Sequence, residues 1–289
     1  MDYSAYTGNR STASEYMHTV SDGVRLRIID FKPDSKKTNS PVIIFIAGWI
    51  SLISGWREFL AALTPRYRVI YAETREKRSS EVPDIRAVSF DMRRMQNDIA
   101  DIVAGLTGQK TAFILAGSSL GASAIMEYCR SDGRMPLCTV LVGPNGEFRF
   151  PRFLGSLIPF IPPALYFAVK PIVKYYLRNF RVNSAAEKEQ IEKYELTLDY
   201  ADPYKLKKNA LGVKNWSMSQ GNGKIPVPSL ILGATTDSLH STGHLKELLP
   251  FFDKPQYVEL LSNRETHSVK AAQVMTRYIE RIARSAAKV

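Results

Sequence analysis

The sequence predicts an α/β fold: a mostly parallel central sheet flanked by helices, with a helical insertion. Three observations lead there. Short continuous apolar runs, PVIIFI (41–46), TAFILA (111–116), LCTVLV (137–142) and VPSLILG (227–233), read as strands buried on both faces. Helical patterns separate them at intervals that suit right-handed crossovers. The alternation stops near Pro144 and resumes at Val227, so an 80-residue segment interrupts it.

Tyr16 to Val20 and Val24 to Phe31 flank an Asp22-Gly23 turn, and the second run alternates as an edge strand would. After Pro41 to Ile46 comes a glycine-containing loop and a helix with Trp56, Phe59, Leu60 and Leu63 on one side. Tyr67 to Ala72 is the next strand. Ser89 is suited to cap a helix whose stripe is Met92, Met95, Ile99, Ile102, Val103 and Leu106. Thr111 to Ala116 leads through a sharp turn into a helix with Ile125 and Met126, and Leu137 to Val142 follows. After Val227 to Gly233 come a helix near His244 to Leu249, a strand near Tyr257 to Leu261, and a closing amphipathic helix through Val274, Tyr278 and Ile282. The domain reading is a core of residues 1–144 and 225–289, with 145–224 as a helical cap.

The chain has 289 residues and is 45% hydrophobic, ample for a sizeable core. It carries 39 basic and 28 acidic residues, a net +11. No nucleic-acid-binding signature accompanies that charge, so a nucleic-acid partner is not expected. The first residues lack the apolar stretch of a signal peptide. Two cysteines, Cys129 and Cys138, fall in core elements and read as free thiols of a reducing, cytoplasmic setting. His240 and His244 stand four apart without a third ligand, so no metal site is expected.

Gly117-Ser118-Ser119-Leu120-Gly121 matches G-x-S-x-G between a buried strand and a helix. A nucleophile on so tight a turn is held strained, its Oγ projecting into the site. The positions two before and two after come too close for side chains, so both are glycine. Ser118 is adjacent, but only Ser119 is central between the glycines. The helix N-terminus that follows favours developing negative charge.

With this motif in that element order, residues 16–286 resemble the α/β-hydrolase family. The resemblance implies a serine esterase or lipase-like enzyme with a helical cap. It implies the chain order Ser, Asp, His, with the acid after a late strand and the histidine after the last. Asp237 follows Val227 to Gly233, and His267 follows Tyr257 to Leu261. Glu147, after Leu137 to Val142, is the fallback acid. His240 and His244 follow Asp237 too closely to be a distant base and read as exposed or capping residues. The oxyanion donors implied are the backbone N–H groups of Leu120 and, in Ala47-Gly48-Trp49, of Trp49. Relatives that are dehalogenases or epoxide hydrolases carry aspartate at the nucleophile position. Serine there favours esterase, lipase, amidase or C–C hydrolase chemistry through an acyl-enzyme, and cleavage of carboxylic esters of lipophilic or acyl-chain type is the first expectation. Lactone, amide or C–C cleavage, and a non-catalytic binding protein of the same fold, stay open. No cofactor is implied.

Residues 145–224 hold 13 Lys/Arg against 7 Asp/Glu, a surplus of six. The uncharged run Phe153 to Val169 contains Pro159, Pro162 and Pro163, which break a spanning helix. A cap with its apolar face on the core is the plain expectation. The sharper one is a cap that lines an acyl pocket and touches anionic membrane peripherally. The oligomeric state is not readable.

Overall fold

In the computed structural model, residues 2–34, 40–148, 158–180, 195–220, 223–237 and 240–286 are described. Eight strands form one sheet in the order β1-β2-β4-β3-β5-β6-β7-β8. β1 (Ser11–Thr19), β2 (Arg25–Pro33) and β4 (Val69–Ala72) pair antiparallel. From β4 onward, β3 (Val42–Ile46), β5 (Phe113–Ser118), β6 (Thr139–Val142), β7 (Ser229–Ala234) and β8 (Pro255–Leu260) run parallel.

The continuous apolar runs are explained by two cores, one on each face. Ile44, Ile70, Leu115, Leu141 and Ile231 face one core, beneath α2 (Met92–Leu106) and α3 (Ser119–Tyr128). Ile43, Phe45, Ile114, Val140 and Leu232 face the other, beneath α1 (Arg57–Leu63) and the final helix. Cys129 and Cys138 are free and buried, and burial pushes the Cys138 thiol up to about 12.

Two expectations are corrected. Residues 24–31 are not at the edge: β2 is flanked by β1 and β4, and β1 takes the edge with its half-exposed pattern. The cap of α2 is Asp91, which accepts the Arg94 N–H at 2.8 Å, because the helix begins at Met92. Ser89 acts just outside it, accepting the Asp91 N–H at 3.2 Å.

Between β6 and β7 lie α4 (Leu165–Phe180), a short helical stretch at 195–199, and α5 (Pro203–Val213). Part of the run from Phe153 lies outside the described residues. α4 contradicts the expected apolar-inward packing. Tyr166, Lys170 and Lys174, at four-residue spacing, turn inward to Leu198 O and the Asp199 carboxylate. Phe167 (56%) and Ile172 (66%) are exposed, as are Leu165 and Val169. The ion pairs with Asp199 decide which face is inward.

β7 leads through the Asp237 loop to α6 (Thr242–Leu248), and β8 leads to α7 (Val269–Ala286), which packs on α1.

Candidate active site

β5 delivers the chain directly into α3 with no intervening loop, and Ser119 is the hinge. Its φ is +46°, a left-handed conformation that costs an L-residue roughly 1–2 kcal/mol. The glycine positions follow from steric limits. A Cβ at Gly121 would stand 2.4 Å from Ile46 O and 2.6 Å from Ala47 O. One at Gly117 would stand 2.8 Å from Ile125 Cδ1 and 2.9 Å from Ile46 O. The elbow is therefore pressed against the end of β3. Leu120 N–H lies in the first turn of α3, where helix donors lack intrahelical acceptors.

Asp237 is three residues beyond the end of β7. Its Oδ2 is 3.0 Å from His240 Nδ1, and its Oδ1 accepts the His240 backbone N–H at 3.0 Å. The other ring nitrogen, His240 Nε2, is 3.1 Å from Ser119 Oγ. A carboxylate, an imidazole and a hydroxyl thus form one hydrogen-bonded chain, partly buried. The ring fits because Gly143, at φ +52°, has no side chain: a Cβ there would lie 3.0 Å from His240 Cγ.

The ring that reaches Ser119 is therefore that of His240, a residue expected to be a bystander. His267 sits in the turn after β8, its ring 4.1 Å from that of Trp56, centroid to centroid. Its Nδ1 is 2.9 Å from Thr266 Oγ1 and 3.0 Å from Asn263 O. That turn adjoins the Asp237 loop, since Asn263 N–H donates to Thr236 Oγ1 at 3.3 Å. An Asp-x-x-His spacing was visible in the sequence. A three-residue separation reads as too short for a distant base, yet one carboxylate binds both the ring and its backbone.

Asn145 was also missed. Its Nδ2 donates to Ser119 Oγ at 3.2 Å, and its backbone N–H is held by Ser123 Oγ at 3.0 Å. The signal available was the Gly-Pro-Asn-Gly turn straight after a buried strand. Glu147, the fallback acid, forms a backbone bridge with Ser217.

In the loop after β3, Gly48 lies against the turn into α3: a Cβ there would be 2.9 Å from Ser118 Oγ and 3.4 Å from Ser119 Cβ. The loop is strained too, with Ile50 at φ +47°. Among the described residues, no group of three His, Cys, Asp or Glu side chains is arranged to hold a metal ion.

No family model and no curated protein matches the chain by sequence. Solved structures do match it in fold. A membrane phospholipase A described as a bacterial virulence factor superposes with a TM-score of 0.71 at 18% identity, over 97% of this chain and 89% of that one. A thermophilic esterase from Thermogutta terrifontis gives 0.67 at 17%, over 94% and 99%. The enol-lactonase from Burkholderia xenovorans LB400 gives 0.69 at 18%, over 93% and 99%. The sheet order, the strained serine between β5 and α3, and these superpositions lead to one conclusion: the chain has the α/β-hydrolase fold.

Proposed function

We propose that this protein is a serine hydrolase that cleaves carboxylic esters of lipophilic or acyl-chain substrates through an acyl-enzyme. One observation carries the reading: the 3.1 Å contact between Ser119 Oγ and an imidazole whose other nitrogen is held at 3.0 Å by a carboxylate. Ser119 attacks the ester carbonyl and its proton passes to His240 Nε2. Asp237 fixes the tautomer with the proton on Nδ1 and stabilises the imidazolium. The N–H groups of Leu120 and Trp49 receive the oxyanion. The imidazolium then protonates the leaving alkoxide. Water then attacks the acyl carbon as the same ring takes its proton, and collapse breaks the bond to Ser119 Oγ, which recovers that proton, and releases the acid.

A second reading gives the base to His267. Its support is the turn after β8, beside the loop of Asp237, where the family carries its histidine. Fluorophosphonate labelling and p-nitrophenyl ester turnover in three variants test both. Ser119→Ala should be unlabelled and inactive, and turnover surviving it would end the hydrolase reading. His240→Ala should lose about 10⁴–10⁶ in kcat, the scale of removing a triad histidine. If His267→Ala suffers that loss and His240→Ala does not, the base is His267.

The proposal includes residues 145–224 as a cap over this site, and peripheral contact with lipid through α4. Support for contact is the outward placement of Leu165, Phe167, Val169 and Ile172. Charge is the lesser part. Lys170 and Lys174 are engaged by Asp199, and Lys205, Lys207 and Lys208 by backbone carbonyls. Among the described residues, no helix is long and apolar enough to cross a membrane.

A further inference from the structure

We infer that Lys77 is a positioning residue for the oxyanion site, setting the direction and polarity of the Trp49 N–H through the carbonyl of Gly48. The inference rests on the hydrolase reading above. Lys77 lies in the segment after β4, Glu73 to Ser80, in which Glu73, Thr74, Arg75, Glu76, Lys77 and Ser80 are all buried. Its Nζ donates to Gly48 O at 2.7 Å.

Gly48 O and Trp49 N–H belong to one peptide unit, and no peptide in the described chain is cis. In a trans planar unit the carbonyl and the N–H point in opposite directions. A cation clamped on the oxygen therefore aims the N–H the other way. Gly48 lies against the nucleophile, within van der Waals reach of Ser119. The ammonium also draws electron density through the amide, which strengthens the N–H as a donor to a forming oxyanion.

Simple satisfaction of the carbonyl does not explain the lysine, because Gly48 O already accepts the Ser51 N–H at 3.1 Å. Burying an ammonium is expensive, and burial pulls the Lys77 pKa down, opposed by Glu76 and Glu73. Glu76 is the nearest counter-charge, its Oε1 3.8 Å from Nζ and itself held by Thr74 Oγ1 at 2.7 Å. The lysine is braced from the insertion as well. Lys205 Nζ, on α5, donates to Lys77 O at 3.0 Å and to Ser80 O at 2.7 Å. α5 is thus tied to the backbone of the residue whose side chain holds Gly48 O.

The test compares the parent with Lys77→Met by p-nitrophenyl butyrate turnover and by inhibition with a trifluoromethyl ketone. That ketone forms an oxyanion on the serine. Misaiming one donor should lower kcat by about 10- to 100-fold, short of the 10²- to 10³-fold for its full removal, with KM nearly unchanged. The ketone's inhibition constant should rise by the same factor. A folded Lys77→Met protein whose kcat and ketone affinity stay within about twofold of the parent overturns the inference, as does a change in KM alone. If Lys77→Met does not fold, Lys77→Gln, which keeps a donor and loses the charge, is read by the same two numbers. A parent that neither turns over ester nor takes a fluorophosphonate overturns the hydrolase reading, and the role of Lys77 with it.

Discussion

Of the three described non-glycine residues at positive φ, two frame the candidate chemistry, Ser119 and Ile50 in the loop after β3, and the third is Asn9. Only surrounding structure holds such conformations, and the elbow is held by the β3 carbonyls against which Gly121 packs. Ser119→Gly should therefore be more stable than Ser119→Ala by about 1 kcal/mol in denaturant unfolding, while both lack turnover. Asn145 presents a different kind of dependence. Its amide donates to the Oγ from the loop after β6, so it orients the hydroxyl without exchanging a proton. Asn145→Ala should lower kcat by about tenfold, the value of one neutral hydrogen bond, with little change in melting temperature. A melting shift without a rate change would make it a structural residue only.

At the scale of elements, β3 and α3 approach so closely that one methyl group decides the geometry. Gly121→Ala puts a Cβ into two backbone carbonyls that have no side-chain freedom to yield. The expected result is a loss of about 1–3 kcal/mol in stability, read by urea unfolding. Ester turnover should fall further than that loss explains, since Ile46 and Ala47 lead into the oxyanion loop. On α4, Phe167 and Ile172 are exposed, while Lys170 and Lys174 pair with Asp199. A Phe167→Ser/Ile172→Ser variant should bind vesicles about 100-fold or more weakly, at roughly 1.5 kcal/mol or more for each lost apolar anchor. Turnover of a water-soluble ester should not change. Because the lysines are engaged, binding should be similar for zwitterionic and anionic vesicles. Strong dependence on anionic lipid or salt would return the contact to charge.

Across the whole molecule, the buried segment after β4 joins parts far apart in the chain. Arg75 is fully buried. It donates to Asp98 on α2 at 2.7 Å, to Asp22 in the β1–β2 turn at 2.9 Å, and to Ser89 O at 2.7 Å. Arg94 completes the cluster on Asp98 and Asp101. Removing the central cation leaves buried carboxylates unpaired, and burial already raises the Asp98 pKa. Arg75→Met should cost about 3–5 kcal/mol in chemical denaturation. A loss below about 1 kcal/mol would mean that water enters the cluster and replaces the guanidinium. α5 shares the pattern: Lys205 and Lys208 donate to backbone carbonyls between Lys77 and Val88, and Asn209 to Phe90 O. Two of the insertion's lysines thus satisfy the core's own backbone.

What the sequence by itself determined are features written in local pattern. Apolar runs and their spacing specify the parallel strands, since a strand buried on both faces must be apolar throughout. Glycines two before and two after Ser119 mark a turn that admits no side chains there, and Asp237 follows the β7 run at once. Tertiary structure decided which imidazole meets the serine. His240 and His267 were both available, and spacing favoured the distant one. The choice depends on the space that Gly143 leaves for the His240 ring and on the His267 ring lying against Trp56. It decided the pairing of two α4 lysines with Asp199, and it brought Asn145 to Ser119 and Lys77 to Gly48 O from loops 68 residues apart in sequence. These are directional contacts between side chains of distant segments. No periodicity encodes them, because each depends on where the sheet order sets the ends of its strands.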